Sequence, residues 1–413
     1  MRTTRALSGA LAAVVVLALA AGYGQFGAVA ALGQVARSFG HPIGGTSIAA
    51  EAGLSGVALG GGLAILRLAS LGGLPLSALG DRLGRRRTLV AWVLLGLALT
   101  MAAAASPSYW WFIAIFALGR PLLSAAAALA QVVTAEVSRP ANRARSLAIV
   151  SAGYGIGAGL NALVHSVLRG EASFRFLFLT CAVPLVAVLA VARWVPEPVI
   201  GLEEAGMVRP RFGRVAPGEG GRLLKVMGLI VATSLTSSAA SSFVFVYGEN
   251  IVRLSKGIES GMIIAAASTG LIGLLLGRRV ADGWGRRPAI ALGITGIALS
   301  AMVLYSGSKE AVVVGYLLIV LSTGFIAPAG TAYPNELFGT QVRATVAGWG
   351  IVAGVIGAAV GLVSFGLVAD RWGAFEVAAL VVSLPILAGL WLLTTLPETR
   401  GIELAGTLGA TEG

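Results

Sequence analysis

Twelve apolar runs, most of them about twenty residues or longer, follow one another from residue 7 to residue 396, with almost no charge inside them. A helix needs roughly 20 residues to cross about 30 Å of hydrocarbon. Read between charges and turn residues, the runs fall at about 7–36, 50–79, 88–105, 109–136, 146–168, 174–194, 223–248, 259–279, 288–306, 311–335, 344–369 and 375–396. A chain that is 57% hydrophobic and 12% charged cannot clothe itself in polar surface, so lipid is its solvent. The expected class is an all-α integral membrane protein with twelve transmembrane helices.

The net charge of +12 would suggest nucleic acid in a soluble protein. Here the arginines sit in short loops between apolar runs, where they set orientation instead. If the loops at 80–87, 136–145, 277–287 and 336–343 face one side with both termini and the central stretch from Arg193 to Lys225, 21 basic residues lie there. The other side holds Arg37, Arg169, Arg175, Arg253, Lys256, Lys309 and Arg371, and Arg67 and Arg120 fall well within runs. The excess places both termini in the cytoplasm. The first run resembles a secretory signal at its start, but it continues uncharged to Ala36, so it reads as the first span. Cys181 is the single cysteine, which leaves no intramolecular disulfide and no thiolate metal cluster to expect.

The chain is written twice. Asp81-x-x-Gly84-Arg85-Arg86 returns as Asp282-x-x-Gly285-Arg286-Arg287, 201 residues on. Pro196-Glu-Pro returns as Pro397-Glu-Thr at the same offset, and Glu136-x6-Arg143 returns as Glu336-x6-Arg343 at 200. Three patterns in one register indicate a duplicated six-helix unit. The expected division is 1–194 and 223–396 for the two bundles, 195–222 for a linker and 397–413 for a tail.

With these motifs the chain resembles the major facilitator superfamily, and its loop pattern is nearest the sugar-porter-like branch. That resemblance implies two six-helix bundles around a central cavity, alternating access, no prosthetic group or metal, and action as a monomer. It also assigns the loop residues Asp81, Arg82, Gly84, Arg85, Arg86, Glu136 and Arg143, with Asp282, Gly285, Arg286, Arg287, Glu336 and Arg343, to a conformational latch. Glu136 and Glu336 would pair with arginines such as Arg85 and Arg286. The alternative is that the arginines act only as topology signals. Two departures, Ser77 and Gly283, weaken the pattern, and Gly283 makes the second latch the weaker one.

Polar groups inside a span are costly and point to function. Arg120 lies 16 residues before Glu136, roughly 24 Å up its helix, where it either binds substrate or bonds to a neighbouring backbone. Arg67 either lines the cavity or snorkels outward. Tyr23, Gln25, Asn161 and Tyr333 are further substrate candidates, and Glu51 is a candidate for coupling from outside. No aspartate or glutamate reads as mid-membrane, since Glu51, Glu136, Glu249 and Glu336 fall near helix ends, and no paired buried carboxylates are visible. His165 reads as a bystander near the outer surface. Coupling to protons is what the resemblance implies, against facilitated diffusion.

These residues favour a secondary transporter of a small neutral or anionic metabolite in a bacterial inner membrane. The partners expected are that solute, the lipid bilayer and protons, with no nucleic acid. A multidrug efflux antiporter and a transport-dead receptor or scaffold are the alternatives. No Walker-type phosphate loop occurs, so an ATP-driven pump is disfavoured. Two histidines and one cysteine leave enzymatic chemistry little to rest on.

Overall fold

The computed structural model describes residues 2–41, 53–138, 142–168, 174–197, 219–339 and 342–400. Most of the linker, the last residues of the tail and Glu51 lie outside that set, and the side chains of Asp81, Arg143 and Arg343 are likewise outside it. Among the described residues there is no strand. Twelve helices are long and apolar enough to cross a membrane: α1 Gly9–Ala30, α2 Gly56–Ala78, α3 Arg85–Ala105, α4 Tyr109–Val137, α5 Arg145–Leu168, α6 Phe174–Trp194, α7 Gly220–Ile251, α8 Gly257–Gly283, α9 Arg286–Leu304, α10 Lys309–Leu337, α11 Thr345–Trp372 and α12 Phe375–Thr394. The chain is a multi-pass membrane protein.

Local chemistry sets where these helices begin. Gly84 and Gly285 take φ of +95° and +120°, a region that side chains with a Cβ rarely enter, and α3 and α9 start on the next residue. Ser108 and Ser308 cap α4 and α10, each side-chain oxygen accepting an amide three residues on. Prolines interrupt helices where the missing amide breaks the ladder. In α12 the helix restarts at Pro385, and α6 is broken at Thr180–Cys181, just before Pro184. Pro184 and Pro385 are again 201 apart, so the duplicated register extends to the breaks.

Three runs differ from expectation. The first is one helix to Ala30 followed by a separate short helix, Leu32–Phe39. The second is interrupted by a 3-10 turn at Ser70–Gly72. The seventh runs on past residue 248 and closes in a wide π turn at Tyr247–Ile251, a feature that often accompanies functional positions.

The chain forms two compact units, residues 1–41 with 65–208 and residues 42–64 with 209–413. In the first unit α1 and α5 pack backbone to backbone, because a Cβ on Gly157 would run into the carbonyl oxygen of Leu19. In the second unit α7 and α11 do the same at Gly357 and Val231. Lipid offers apolar side chains no reason to prefer one another, so close packing of small residues supplies much of the association between helices. The first core gathers Leu17, Leu97, Leu123 and Val133, and the second gathers Ile294, Ala329, Tyr333 and Val346.

Candidate functional site

The first unit holds a cationic pair, Arg120 buried and Arg67 half-buried. Arg120 is 8% exposed on α4, just before Pro121. Its guanidinium donates to the backbone oxygen of Gln25 on α1 at 3.2 Å, and its Nε has no partner. Both readings of Arg120 thus find something in the structure: one bond to a neighbouring backbone, and donors left over. Gln25 also accepts, through its side-chain oxygen, the Tyr154 hydroxyl of α5 at 3.1 Å. Arg67 of α2 is near enough that its charge acts on both Arg120 and Tyr154. Among the described residues no carboxylate pairs with either arginine. Two guanidinium groups held together in low dielectric repel, and an anion between them removes that cost.

Two of the other substrate candidates, Tyr23 and Tyr333, are hydrogen-bonded elsewhere. Tyr23 shares a 2.6 Å hydrogen bond with Thr180 of α6. Asn161 is buried on α5, with its side-chain oxygen unpartnered. Tyr333 donates to the backbone oxygen of Pro397 at 2.7 Å, at the end of its unit that carries the arginine-rich loops. Tyr154 was not among the sequence candidates; its place in "GYGIG" reads as helix packing, and only the fold turns its hydroxyl toward Gln25.

In the second unit the sequence reading needs correcting. Glu249 and Glu259 are 5% and 2% exposed, and their carboxylate oxygens lie within 4.8 Å of one another. A pair of buried carboxylates therefore exists. The π turn that ends α7 carries Glu249 inward, and the short connection to α8 brings Glu259 to it. Tyr316 of α10 is close enough to sense Glu259. His165, read as lying near the outer surface, is 1% exposed, which corrects that placement. The second unit also contains a cavity of about 200 Å³ lined largely by apolar groups, among them Ile230, Ile290 and Ile326, with Thr233 and Ser234.

At the basic end each unit builds its own charge network. Arg85 pairs with Glu136 in the first unit. In the second, Arg286 grips Glu336 through Nε and a terminal nitrogen at 3.2 and 3.0 Å and reaches Asp282 at 2.8 Å. Glu336 also accepts the Thr399 hydroxyl at 2.5 Å. Two carboxylates outside the sequence candidates complete these networks. Glu197 accepts the backbone amides of Arg85 and Arg86 at 2.8 and 3.2 Å. Glu398 accepts those of Arg286 and Arg287 at 2.7 and 3.0 Å. Both sit in the Pro-Glu repeat, so the 201-residue register was the available signal. Arg82 is exposed.

The family profile of the Major Facilitator Superfamily matches residues 14–361. The chain belongs to that superfamily. The gentisate transporter of Corynebacterium glutamicum is 26% identical to this superfamily member over 385 residues, covering 87% of this chain and 85% of the relative. Human solute carrier family 22 member 12 is 29% identical, covering 79% of this chain and 65% of the relative. Among solved structures, the inward-open xylose transporter XylE from E. coli superposes with a TM-score of 0.75 at 16% identity, over 97% of this chain and 98% of the other. A bacterial homologue of the human lysosomal transporter Spinster gives 0.72 at 13% identity, over 93% and 95%. At such identities the structural likeness is one of fold. Superfamily membership and the transporters similar to the chain fit a secondary transporter of small metabolites.

Proposed function

We propose that this superfamily member carries small organic anions across a bacterial inner membrane by alternating access, with both termini cytoplasmic and the monomer as the working unit. The observation that carries the proposal is the pair of buried Arg120 and half-buried Arg67 in one unit, with no carboxylate pairing with either among the described residues. The similarity to a gentisate transporter supports an aromatic carboxylate as the first substrate class to try. The networks of Arg85 with Glu136 and of Arg286 with Asp282 and Glu336 are the proposed latch, which is rebuilt as the two bundles rock about a central cavity. On this reading the bundles follow the duplicated sequence, 1–194 and 223–396, joined by the linker at 195–222.

Coupling to protons is proposed at Glu249 and Glu259. Two buried carboxylates this close are not both left ionised without a proton or a positive partner to offset them. The same pair favours a second reading, exchange of a lipophilic cation for protons, since buried acid is what would attract a cationic drug.

The deciding experiment is thermal stabilisation of the purified protein by gentisate, other organic acids, sugars, amino acids and lipophilic cations, at mildly acidic and neutral pH. Stabilisation by organic acids that disappears in Arg120→Ala is the expected result. Stabilisation by lipophilic cations alone, lost in Glu259→Gln, would replace it with the second reading.

A further inference from the structure

The first half of α2 clusters with the second unit, while the remainder of the same helix clusters with the first. Its attachment inside the second unit is specific. Asp370, near the end of α11, accepts the amide of Gly56 on one carboxylate oxygen at 2.7 Å and that of Val57 on the other at 2.9 Å. Ser55 accepts the next amide, that of Ala58, at 3.1 Å. The first three amides of α2, which a helix cannot satisfy internally, are therefore all filled, two of them by a carboxylate 314 residues away. A negative charge at a helix N-terminus is additionally favoured by the helix dipole.

Packing below the cap adds a second attachment. A Cβ on Gly60 would run into the carbonyl oxygen of Leu362, and one on Gly366 into that of Gly56. Gly56 and Gly60 share one face of α2 at a spacing of four residues, so the two backbones touch along a full turn. Phe243 of α7, stacked on Phe365 of α11 at 4.7 Å, closes the contact beside Gly60. Sequence offers no opposite charge for Asp370 in this contact. It holds backbone amides instead, which a neutral side chain of the same shape fills only in part.

We propose that Asp370 is a releasable cap that fastens the outer half of α2 to α11, and that opening this end of the second unit requires the carboxylate to let go of the Gly56 and Val57 amides. The proposal needs only that the chain works by alternating access, whatever its substrate. It assigns a conformational role to a residue outside every loop motif and outside the substrate cluster.

Leu59, one turn into α2 and fully buried, is a reporter for that opening. In the purified full-length protein, Leu59→Cys is to be labelled with a maleimide, the native Cys181 staying silent because it is buried. Asp370→Asn keeps the shape and one good acceptor but loses the charge and the two-oxygen grip. It is expected to speed labelling of Leu59→Cys about tenfold, roughly 1.4 kcal/mol in the opening equilibrium, while the melting temperature changes little. Gly366→Ala pries the same contact apart without touching the charge, and is expected to accelerate labelling as well. If Asp370→Asn folds and labels no faster than its parent, the proposal fails. If Asp370→Asn does not fold, Gly366→Ala decides alone, and unchanged labelling there overturns the proposal.

Discussion

Glu197 and Glu398 stand 201 residues apart and perform the same contact, each holding the first two backbone amides of the helix that follows a left-handed glycine. The loop arginines do not by themselves organise the basic end. Their backbone amides are held by glutamates that arrive from the end of the same unit, and their guanidinium groups by glutamates at the ends of α4 and α10. Arg85 and Arg286 are bound twice, through the main chain by one glutamate and through the guanidinium by another.

Removing either cap should cost about 1 kcal/mol, the usual magnitude for a helix N-cap. Glu197→Ala and Glu398→Ala should each lower the melting temperature. Their effects should add in the double variant, since the two caps sit in different units and share no partner.

Glu398 also predicts a pH dependence. Burial works against its ionised form, but the backbone amides of Arg287, Arg286, Thr399 and Arg400 outweigh it and hold the carboxyl below its ordinary value of 4.5. The unfolded chain then binds this proton more readily than the folded one, so the contribution is complete above that value and is lost as pH falls through the depressed one. Melting curves of the parent and of Glu398→Gln should differ at neutral pH and converge in acid.

Arg286→Lys should be far from conservative. The fork that reaches Glu336 with two nitrogens and Asp282 with a third has no equivalent on an ammonium group. Loss of about 2 kcal/mol is expected, read as a lowered melting temperature. Transport turnover should fall as well, with substrate affinity kept.

Tyr154→Phe removes the hydroxyl that orients Gln25 and leaves the aromatic packing in place. A neutral hydrogen bond of about 1 kcal/mol corresponds to a loss of about fivefold in organic-acid affinity. Arg120→Ala should lose binding altogether in the same titration.

Glu259→Gln should reduce the pH dependence of uptake, measured in proteoliposomes with an imposed pH gradient. An unchanged gradient response would remove the buried pair from coupling.

Most of the architecture was legible because lipid imposes a simple rule on composition: twelve apolar runs give twelve helices. The duplication was legible for a different reason, since Gly84 and Gly285 are tied to backbone conformations that other residues rarely adopt. The interior was harder to read. Arg67 and Arg120 stand out in any hydropathy reading, whereas Tyr154 looks like one more residue of a packing surface until the helices are assembled. Glu249 and Glu259 were hidden because proximity to a helix end reads as exposure, and a π turn with a short connection buries both. Asp370 lies one residue from Arg371 near the end of a span, and nothing local announces that its partners are amides on the second helix.

The two copies of the duplicated unit have diverged in electrical character, one holding buried Arg120 with half-buried Arg67 and the other two buried glutamates. A monovalent anion taken up on the first and a single proton on the second would cross together as a neutral pair. Such a cycle moves no net charge, so the roughly 2.3 kcal/mol that 100 mV exerts on each elementary charge neither drives nor opposes it. The cell would then power accumulation through acidity alone, and collapsing the voltage with a potassium ionophore would leave uptake running.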